Sequence, residues 1–398
     1  MKTNPCIEQS EQNILHTYNR FPVVFEKGDG VYLYDVEGRK YLDFAAGIAV
    51  NALGYNHPSF TRALQEQSQK LIHISNLYYN VPMIEAGSRI LGISGMDKVF
   101  FTNSGTEAIE GALKAAKKYA SSRDGRAGHS IIAMNHSFHG RSVGALSVTG
   151  TPAYREPFEP LMSGVKFADF NDFDSVIALM DDSVCAIIVE PIQGEGGIYP
   201  ASPEFLQNLR KLCDEKDILL IFDEIQCGMG RTGYYFAWQE YGVKPDIMTC
   251  AKALGCGFPV GAFLLNAKAA SSSLVPGDHG STYGGNPLAC AAVSQVIDIF
   301  EQENLTGHVR ELTPYLEEQL DKLAESFPFI KARRGKGFMQ GLVLEDIPVG
   351  QIISRALENQ LLVISAGGNV LRLVPPLVIE KEQIDEMAEK LRDSLAGN

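Results

Sequence analysis

The sequence predicts an α/β protein: a large domain whose mostly parallel sheet is covered by helices, and a smaller α+β domain built from the two chain ends. Two observations carry that expectation. Short, wholly apolar runs alternate with stretches of helical period through the middle of the chain. The C-terminal part instead shows long helical stretches followed by short strands.

One unit of the alternation reads from end to end. Residues 186–189 (Ala-Ile-Ile-Val) form an apolar run stopped by Pro191. Ser202-Pro203 then supplies an N-cap and a proline for the first helical turn. Phe205, Leu206, Leu209, Leu212 and Cys213 recur at helical spacing and give one apolar face. Residues 218–222 (Ile-Leu-Leu-Ile-Phe) are a second apolar run. Strands apolar on both faces belong inside a covered parallel sheet, so this is a βαβ unit. Asp223 falls just past its last strand, at the edge where open α/β sheets bind ligands.

Further strands are expected at 131–134, 247–249 and 261–265. Helices at 287–302 and 312–326, then strands near 337–344 and 370–373, make the smaller domain. N-terminal strands at 30–34 and 40–44, turned at Glu37-Gly38, are expected to pack onto it. The expected division is residues 51–286 for the large domain, and 1–50 with 287–398 for the small one.

Composition narrows the function. The chain has 398 residues, 45% hydrophobic and 21% charged, the balance of a packed globular protein rather than a disordered one. A net charge of −13 repels nucleic acid and anionic membranes, so neither is expected as a partner. Seven scattered cysteines without a CxxC pattern read as reduced thiols, not as a disulfide framework or a zinc site. The N-terminus has no apolar signal segment and the apolar runs are too short for a bilayer, so a cytoplasmic protein is expected.

Four stretches carry candidate chemistry. Residues 102–107 (Thr-Asn-Ser-Gly-Thr-Glu) precede a strong helix at 108–119. Gly105 allows close backbone approach, and a helix N-terminus suits an anion such as phosphate. Ser104 or Thr106 acting as a plain helix cap fits the same residues. Asp223, at a sheet edge, fits a loop cap, a metal ligand or a partner for a cationic ring nitrogen. The last is what pyridoxal-5′-phosphate (PLP) requires, because its protonated ring acts as an electron sink. Lys252 is the only charged residue between Asp246 and Lys268 and sits among small apolar neighbours. Poor solvation lowers a lysine pKa and frees a nucleophilic amine. In residues 135–141, Phe138 is suited to stack on a ring and Arg141 to fork onto a carboxylate. His136 and His139 have HxxH spacing but no third metal ligand nearby.

Taken in order, these stretches resemble the class III (ω-amino acid) aminotransferases of PLP fold-type I. The resemblance also takes in residues 190–197 (Glu-Pro-Ile-Gln-Gly-Glu-Gly-Gly), 228–233, 279–287 and 369–372, and so runs nearly the whole length. It implies PLP as cofactor and a homodimer with shared sites. It also implies small-molecule substrates: a donor with a terminal amine, N2-acetylornithine first, and 2-oxoglutarate as acceptor, in arginine biosynthesis. Succinylornithine, succinyl-diaminopimelate, ornithine and 4-aminobutyrate are the alternative donors.

The same resemblance assigns roles. Lys252 is similar to the lysine that carries the cofactor as a Schiff base, Asp223 to the partner of the ring nitrogen, and Gln226 to the contact of the ring hydroxyl. Phe138 and Ile225 resemble the two faces of the ring sandwich. Gly105 and Thr106 are placed at the phosphate, with Ser104, His139 and Glu224 also at the cofactor. Thr282, with Ser281 beside it, resembles the phosphate ligand from the other subunit. Arg141 resembles the clamp for the distal carboxylate and Arg372 the clamp for the α-carboxylate of glutamate, with Glu195 its movable partner. Tyr18 is placed at the substrate. One departure is Cys256, where the family usually has glycine.

A racemase, aminomutase or decarboxylase would share the cofactor site, but a transaminase needs two cationic anchors, which Arg141 and Arg372 supply. A dinucleotide-binding protein has no support, since no G-x-G-x-x-G follows the first strand.

Overall fold

The unit anticipated around residues 186–222 forms with slightly longer elements: strand Val184–Val189, helix Pro203–Lys216 and strand Leu219–Asp223. In this computed structural model, which describes residues 4–397, Ser202 Oγ accepts the Phe205 N–H at 3.1 Å and Pro203 opens the helix. The apolar face named from the sequence is the buried one. The two strands pair in parallel, with Ile188 opposite Ile221.

Seven strands make the main sheet, in the order Lys98–Thr102, Gly261–Leu265, Ile247–Cys250, Leu219–Asp223, Val184–Val189, Ser130–Met134, Val165–Ala168. Gly261–Leu265 runs antiparallel to both neighbours, and the remaining pairings are parallel. The five inner strands are buried at every residue, which a sheet covered on both faces demands. The two edge strands escape the sequence reading because Lys166 interrupts one apolar run, only three apolar residues follow Lys98 in the other, and their burial is only partial.

The helix expected at 108–119 spans Gly105–Asp124, and Gly125 in the left-handed region ends it. Ser104 caps it by accepting the Glu107 N–H at 3.3 Å, and Glu107 reaches back to the Asn103 N–H at 2.8 Å. Its buried face lies on the inner strands of the sheet, where Gly111 meets the Phe263 ring.

The chain ends build two four-stranded sheets. In one, Phe25–Asp29, Tyr32–Asp35 and Lys40–Asp43 form a meander, and Leu361–Leu362 adds in parallel with Leu361 opposite Leu42. Asp35 closes the turn at Glu37-Gly38 by accepting the Glu37 and Arg39 N–H groups. The other sheet, Ile330–Lys336, Met339–Leu344, Val370–Leu373 and Ile364–Ala366, is antiparallel. The helix expected from residue 312 begins at Leu305 and runs through Pro314 to Ser326. Its stripe of Leu305, Val309, Leu312, Leu316, Leu320 and Leu323 is buried without interruption, and that packing carries the helix across the proline. Helix Pro287–Gln302 packs on helices Pro58–Ser68 and Val81–Ser94. Among the described residues, no helix is long and apolar enough to cross a membrane.

Gly111 gives the fold a test of sign. Helix propensity alone favours Gly111→Ala by about 1 kcal/mol. A Cβ there would overlap the Phe263 ring inside a packed core, and overpacking costs about 1–3 kcal/mol. Gly111→Ala is therefore expected to lower the urea midpoint, and a raised midpoint would show that the helix can lift off the sheet without cost.

Candidate active site

The site grows from the carboxyl edge of the main sheet. Asp223 is the last residue of its strand rather than the first beyond it, and its neighbour in register is Thr249. That placement buries the carboxylate, and three donors hold it. Oδ1 accepts the Ile225 N–H at 3.0 Å and the Thr249 hydroxyl at 3.2 Å, while Oδ2 lies 2.7 Å from His139 Nδ1. Burial opposes a charge on His139, but the bond to Asp223 outweighs it and raises the imidazole pKa. His139, expected at the cofactor, thus also braces Asp223 from the side. His136 is exposed while His139 is buried, so the HxxH pair does not face one site.

A cavity of about 410 Å³ opens over this edge. Its lining brings together Ser104, Gly105, Thr106, Phe138, His139, Arg141, Asp223, Ile225, Gln226 and Lys252, named from widely separated parts of the sequence. At one end lies the first turn of helix Gly105–Asp124, whose leading N–H groups have no intrahelical acceptor and suit an anion. Ser104 Oγ is committed to its cap and Thr106 Oγ1 to Ser142 Oγ at 2.6 Å. The backbone is therefore the larger part of what this turn offers.

Lys252 follows strand Ile247–Cys250 with φ of 51°, a left-handed conformation that a non-glycine residue adopts only under constraint. Burial, reinforced by the positive charge of Arg372, lowers its pKa to about 8. Arg141 is exposed at the cavity, its guanidinium 3.9 Å from the Tyr154 ring centroid and 5.4 Å from that of Phe138. Arg372 is 2% exposed and donates from Nη1 to Gln226 Oε1 at 3.1 Å and to Glu195 Oε2 at 2.9 Å. Its Nε is buried without a partner.

Four expected residues stand elsewhere. The Glu224 carboxylate is turned away from the cavity. It accepts the Ala237 and Trp238 N–H groups at 2.7 and 2.8 Å and so caps helix Ala237–Tyr241 instead of lining the cavity where it was expected. Tyr18 and Thr282 are exposed and do not line this chain's cavity. Ser281 Oγ reaches the cavity wall only through Asn103 Nδ2 at 3.3 Å.

Two residues went unread in the sequence. Thr249 had one signal, its position beside Asp223 in an adjacent apolar strand. Glu190 had a better one: like Asp223, it is the first carboxylate after a wholly apolar run. It is 5% exposed, lines the cavity and accepts the Phe138 and Gly194 N–H groups at 3.0 and 3.2 Å. Burial pushes its carboxyl well above the usual range.

Comparison with known proteins fits this geometry. The profile of the family described as Aminotransferase class-III matches residues 14–395. The chain belongs to the class III aminotransferases. It is 48% identical over 387 residues to the acetylornithine aminotransferase of Clostridium acetobutylicum, covering 97% of this chain and 100% of that one. To the Methanocaldococcus jannaschii protein of the same name it is 46% identical, covering 98% of each. The solved N-acetylornithine aminotransferase of Stenotrophomonas maltophilia superposes with a TM-score of 0.85 at 37% identity, covering 98% of each chain. An ornithine aminotransferase of Toxoplasma gondii, described with partial occupancy of PLP at its active site, superposes with a TM-score of 0.94 at 32% identity, covering 98% of this chain and 93% of that one. The fold-type I architecture expected from the sequence is therefore the fold of this class III aminotransferase.

Glu224 makes a prediction about pH. Burial raises its pKa from 4.5 to about 7. Between those values the folded chain holds a proton that the unfolded chain releases, so stability falls as pH rises through this window and is level above it. Glu224→Gln cannot titrate. Wild-type stability relative to Glu224→Gln should therefore drop by about 2–3 kcal/mol between pH 4.5 and 7.5. Parallel urea curves at the two pH values would contradict this.

Proposed function

We propose that the chain is a PLP-dependent transaminase that moves the terminal amino group of N2-acetylornithine to 2-oxoglutarate, giving N-acetylglutamate 5-semialdehyde and glutamate, a step of arginine biosynthesis. The observation that carries this reading is the meeting in one cavity of a lysine with lowered pKa, a braced buried carboxylate and a helix N-terminus, with arginines at two places around it. The identity of the acetylornithine aminotransferases to which it is similar supports acetylornithine over the other terminal amines.

The residues fit PLP. The first turn of helix Gly105–Asp124 would take the phosphate, Asp223 the ring nitrogen, and Gln226 the ring hydroxyl, with Phe138 and Ile225 against the ring faces. When bound, PLP supplies an aldehyde that exchanges nitrogen with an amine and a ring that stores the electron pair left by a broken C–H bond. Asp223, its own position fixed by His139, Thr249 and the Ile225 amide, holds the proton on the ring nitrogen. Lys252 would hold the cofactor covalently, and its amine, once the substrate amine has taken its place, would move the proton at the reacting carbon, a task helped by a pKa lowered to about 8. Phe258 and Val260, with Phe138, present apolar surface that limits water around these steps.

Arg141, at the exposed side of the cavity, is placed to clamp the distal carboxylate of either substrate. Arg372 is the anchor for the carboxylate next to the reacting carbon of glutamate. Acetylornithine has no charge there, and a buried guanidinium left alone is costly. Glu195, 2.9 Å from Arg372, fills that role during the acetylornithine half-reaction and must swing away for glutamate. A homodimer completes the site through Thr282 and Ser281. Exposed Leu77, Tyr78, Tyr79 and Tyr283 support this: Asn76 ties the two segments together through the Ser281 and Gly284 carbonyls, making one apolar surface for a second copy.

Borohydride reduction of the holoenzyme followed by peptide mapping should place the pyridoxyl group on Lys252, and Lys252→Ala should fold but not turn over. Label on any other lysine overturns the assignment. The substrate reading is tested by single-turnover measurement of each half-reaction. Glu195→Gln should slow the acetylornithine half-reaction and spare that of glutamate, whereas Arg372→Ala should cost glutamate about 2–5 kcal/mol and spare acetylornithine. Equal slowing of both by Glu195→Gln would remove Glu195 from substrate selection.

A further inference from the structure

We propose that Glu190 is a positioning residue that holds the Glu195 gate over Arg372 and thereby helps one site accept two substrates. The inference deepens the two-substrate reading above and rests on it.

Glu190 is a buried carboxylate in the cavity wall, and among the described residues no lysine or arginine pairs with it. Its two oxygens are divided between two loops. Oε2 accepts the Phe138 N–H at 3.0 Å, and Oε1 accepts the Gly194 N–H at 3.2 Å. Gly194 is the root of the turn that presents Glu195: its carbonyl accepts the Gly197 and Ile198 N–H groups at 3.3 and 3.4 Å. On the far side of the turn, the Glu195 carbonyl accepts the Gly367 N–H at 2.8 Å. Gly194 is also pressed on the Gln226 side chain, so closely that a Cβ would overlap it, and Gln226 Oε1 accepts from Arg372 Nη1 at 3.1 Å. Glu190, Gly194, Glu195, Arg372 and Gln226 thus close a ring of direct contacts around the anchor for glutamate.

The chemistry requires a carboxylate. Two amide donors need two acceptor oxygens, and glutamine at this place would offer one oxygen and turn an NH₂ group against the other N–H. The clamp adds to the Gly367–Glu195 backbone bond in holding the glycine-rich turn so that Glu195 stays within bonding distance of Arg372. Releasing Gly194 should matter most in the half-reaction that needs Glu195 closed on Arg372, and little in the one that needs it open.

The test compares Glu190→Gln, Glu195→Gln and the double variant in both single-turnover half-reactions of the holoenzyme. Glu190→Gln is expected to slow the acetylornithine half-reaction about tenfold or more, as leaving a buried N–H without its acceptor would, and to change the glutamate half-reaction less than about threefold. In the Glu195→Gln background it should have no further effect on the acetylornithine half-reaction, because both substitutions remove the same function. If Glu190→Gln is insoluble, Glu190→Asp, too short to reach both amides, should show the same asymmetry. Equal slowing of both half-reactions, or effects that add to those of Glu195→Gln, overturns the proposal while an asymmetric Glu195→Gln leaves the substrate reading standing. A symmetric Glu195→Gln overturns both.

Discussion

The molecule is organised around the cost of burying the Asp223 carboxylate at the end of an inner strand. An ion in that position loses its water and must find donors in the protein. It finds three, each from a different element: the amide of Ile225 just beyond its own strand, the hydroxyl of Thr249 on the next strand, and the ring of His139 on the loop after Ser130–Met134. Strand order makes this possible. Residues far apart in sequence reach the same carboxyl edge only because Ile247–Cys250 and Val184–Val189 flank Leu219–Asp223 in parallel. The cavity is the space these loop ends leave over the carboxylate.

Three buried carboxylates crowd this edge, and their partners separate their roles. Asp223 lies 2.7 Å from an imidazole whose pKa it raises. Glu190 and Glu224 accept mainly backbone amides, and burial raises both; the His139 imidazole draws Glu190 back down without bonding it, and the charge of Asp223 adds to both shifts. A carboxylate with a cationic brace suits a permanent charge facing a ring nitrogen. Carboxylates tied to amides suit the fastening of loops, which Glu224 does for helix Ala237–Tyr241 and Glu190 for the loops of Phe138 and Gly194. Residue type alone does not make that distinction.

This explains what was legible in the sequence. Unbroken apolar runs announced the inner strands, and the spacing of Phe205, Leu206, Leu209 and Leu212 announced the helix between two of them, because burial on both faces and on one face leave different periods. The edge strands were silent, since their exposed and half-buried positions accept Lys98 and Lys166. Lys252 stood out as a lone charge in an apolar stretch. Glu224 misled because adjacent residues at a strand end point to opposite sides: Asp223 faces the cavity and its neighbour the opposite side. Thr249 and Glu190 depend on strand register and loop path, which a linear sequence does not display.

The paired anchor shows why the chain ends return to the main sheet. Arg372 belongs to strand Val370–Leu373 of the C-terminal sheet, whereas Glu195 follows Val184–Val189 of the main one, so their bond crosses between sheets. Two further contacts cross nearby. The Gly367 amide donates to the Glu195 carbonyl, and the buried guanidinium of Arg231 donates to the carbonyls of Phe338 and Pro375. Among the described residues Arg231 has no carboxylate within salt-bridge distance; burial lowers its pKa to about 9, and it joins the sheets through neutral acceptors. Glu195 is partly exposed and paired with the buried Arg372, so a substrate carboxylate could replace its pairing without opening the joint. An ion pair can be exchanged for another ion pair at small net cost, because the guanidinium keeps a counter-charge throughout, whereas parting the packed sheets would expose buried apolar surface. On the reading proposed above, the exchange would ask for one side chain's movement while the frame that positions Arg372 stays fixed.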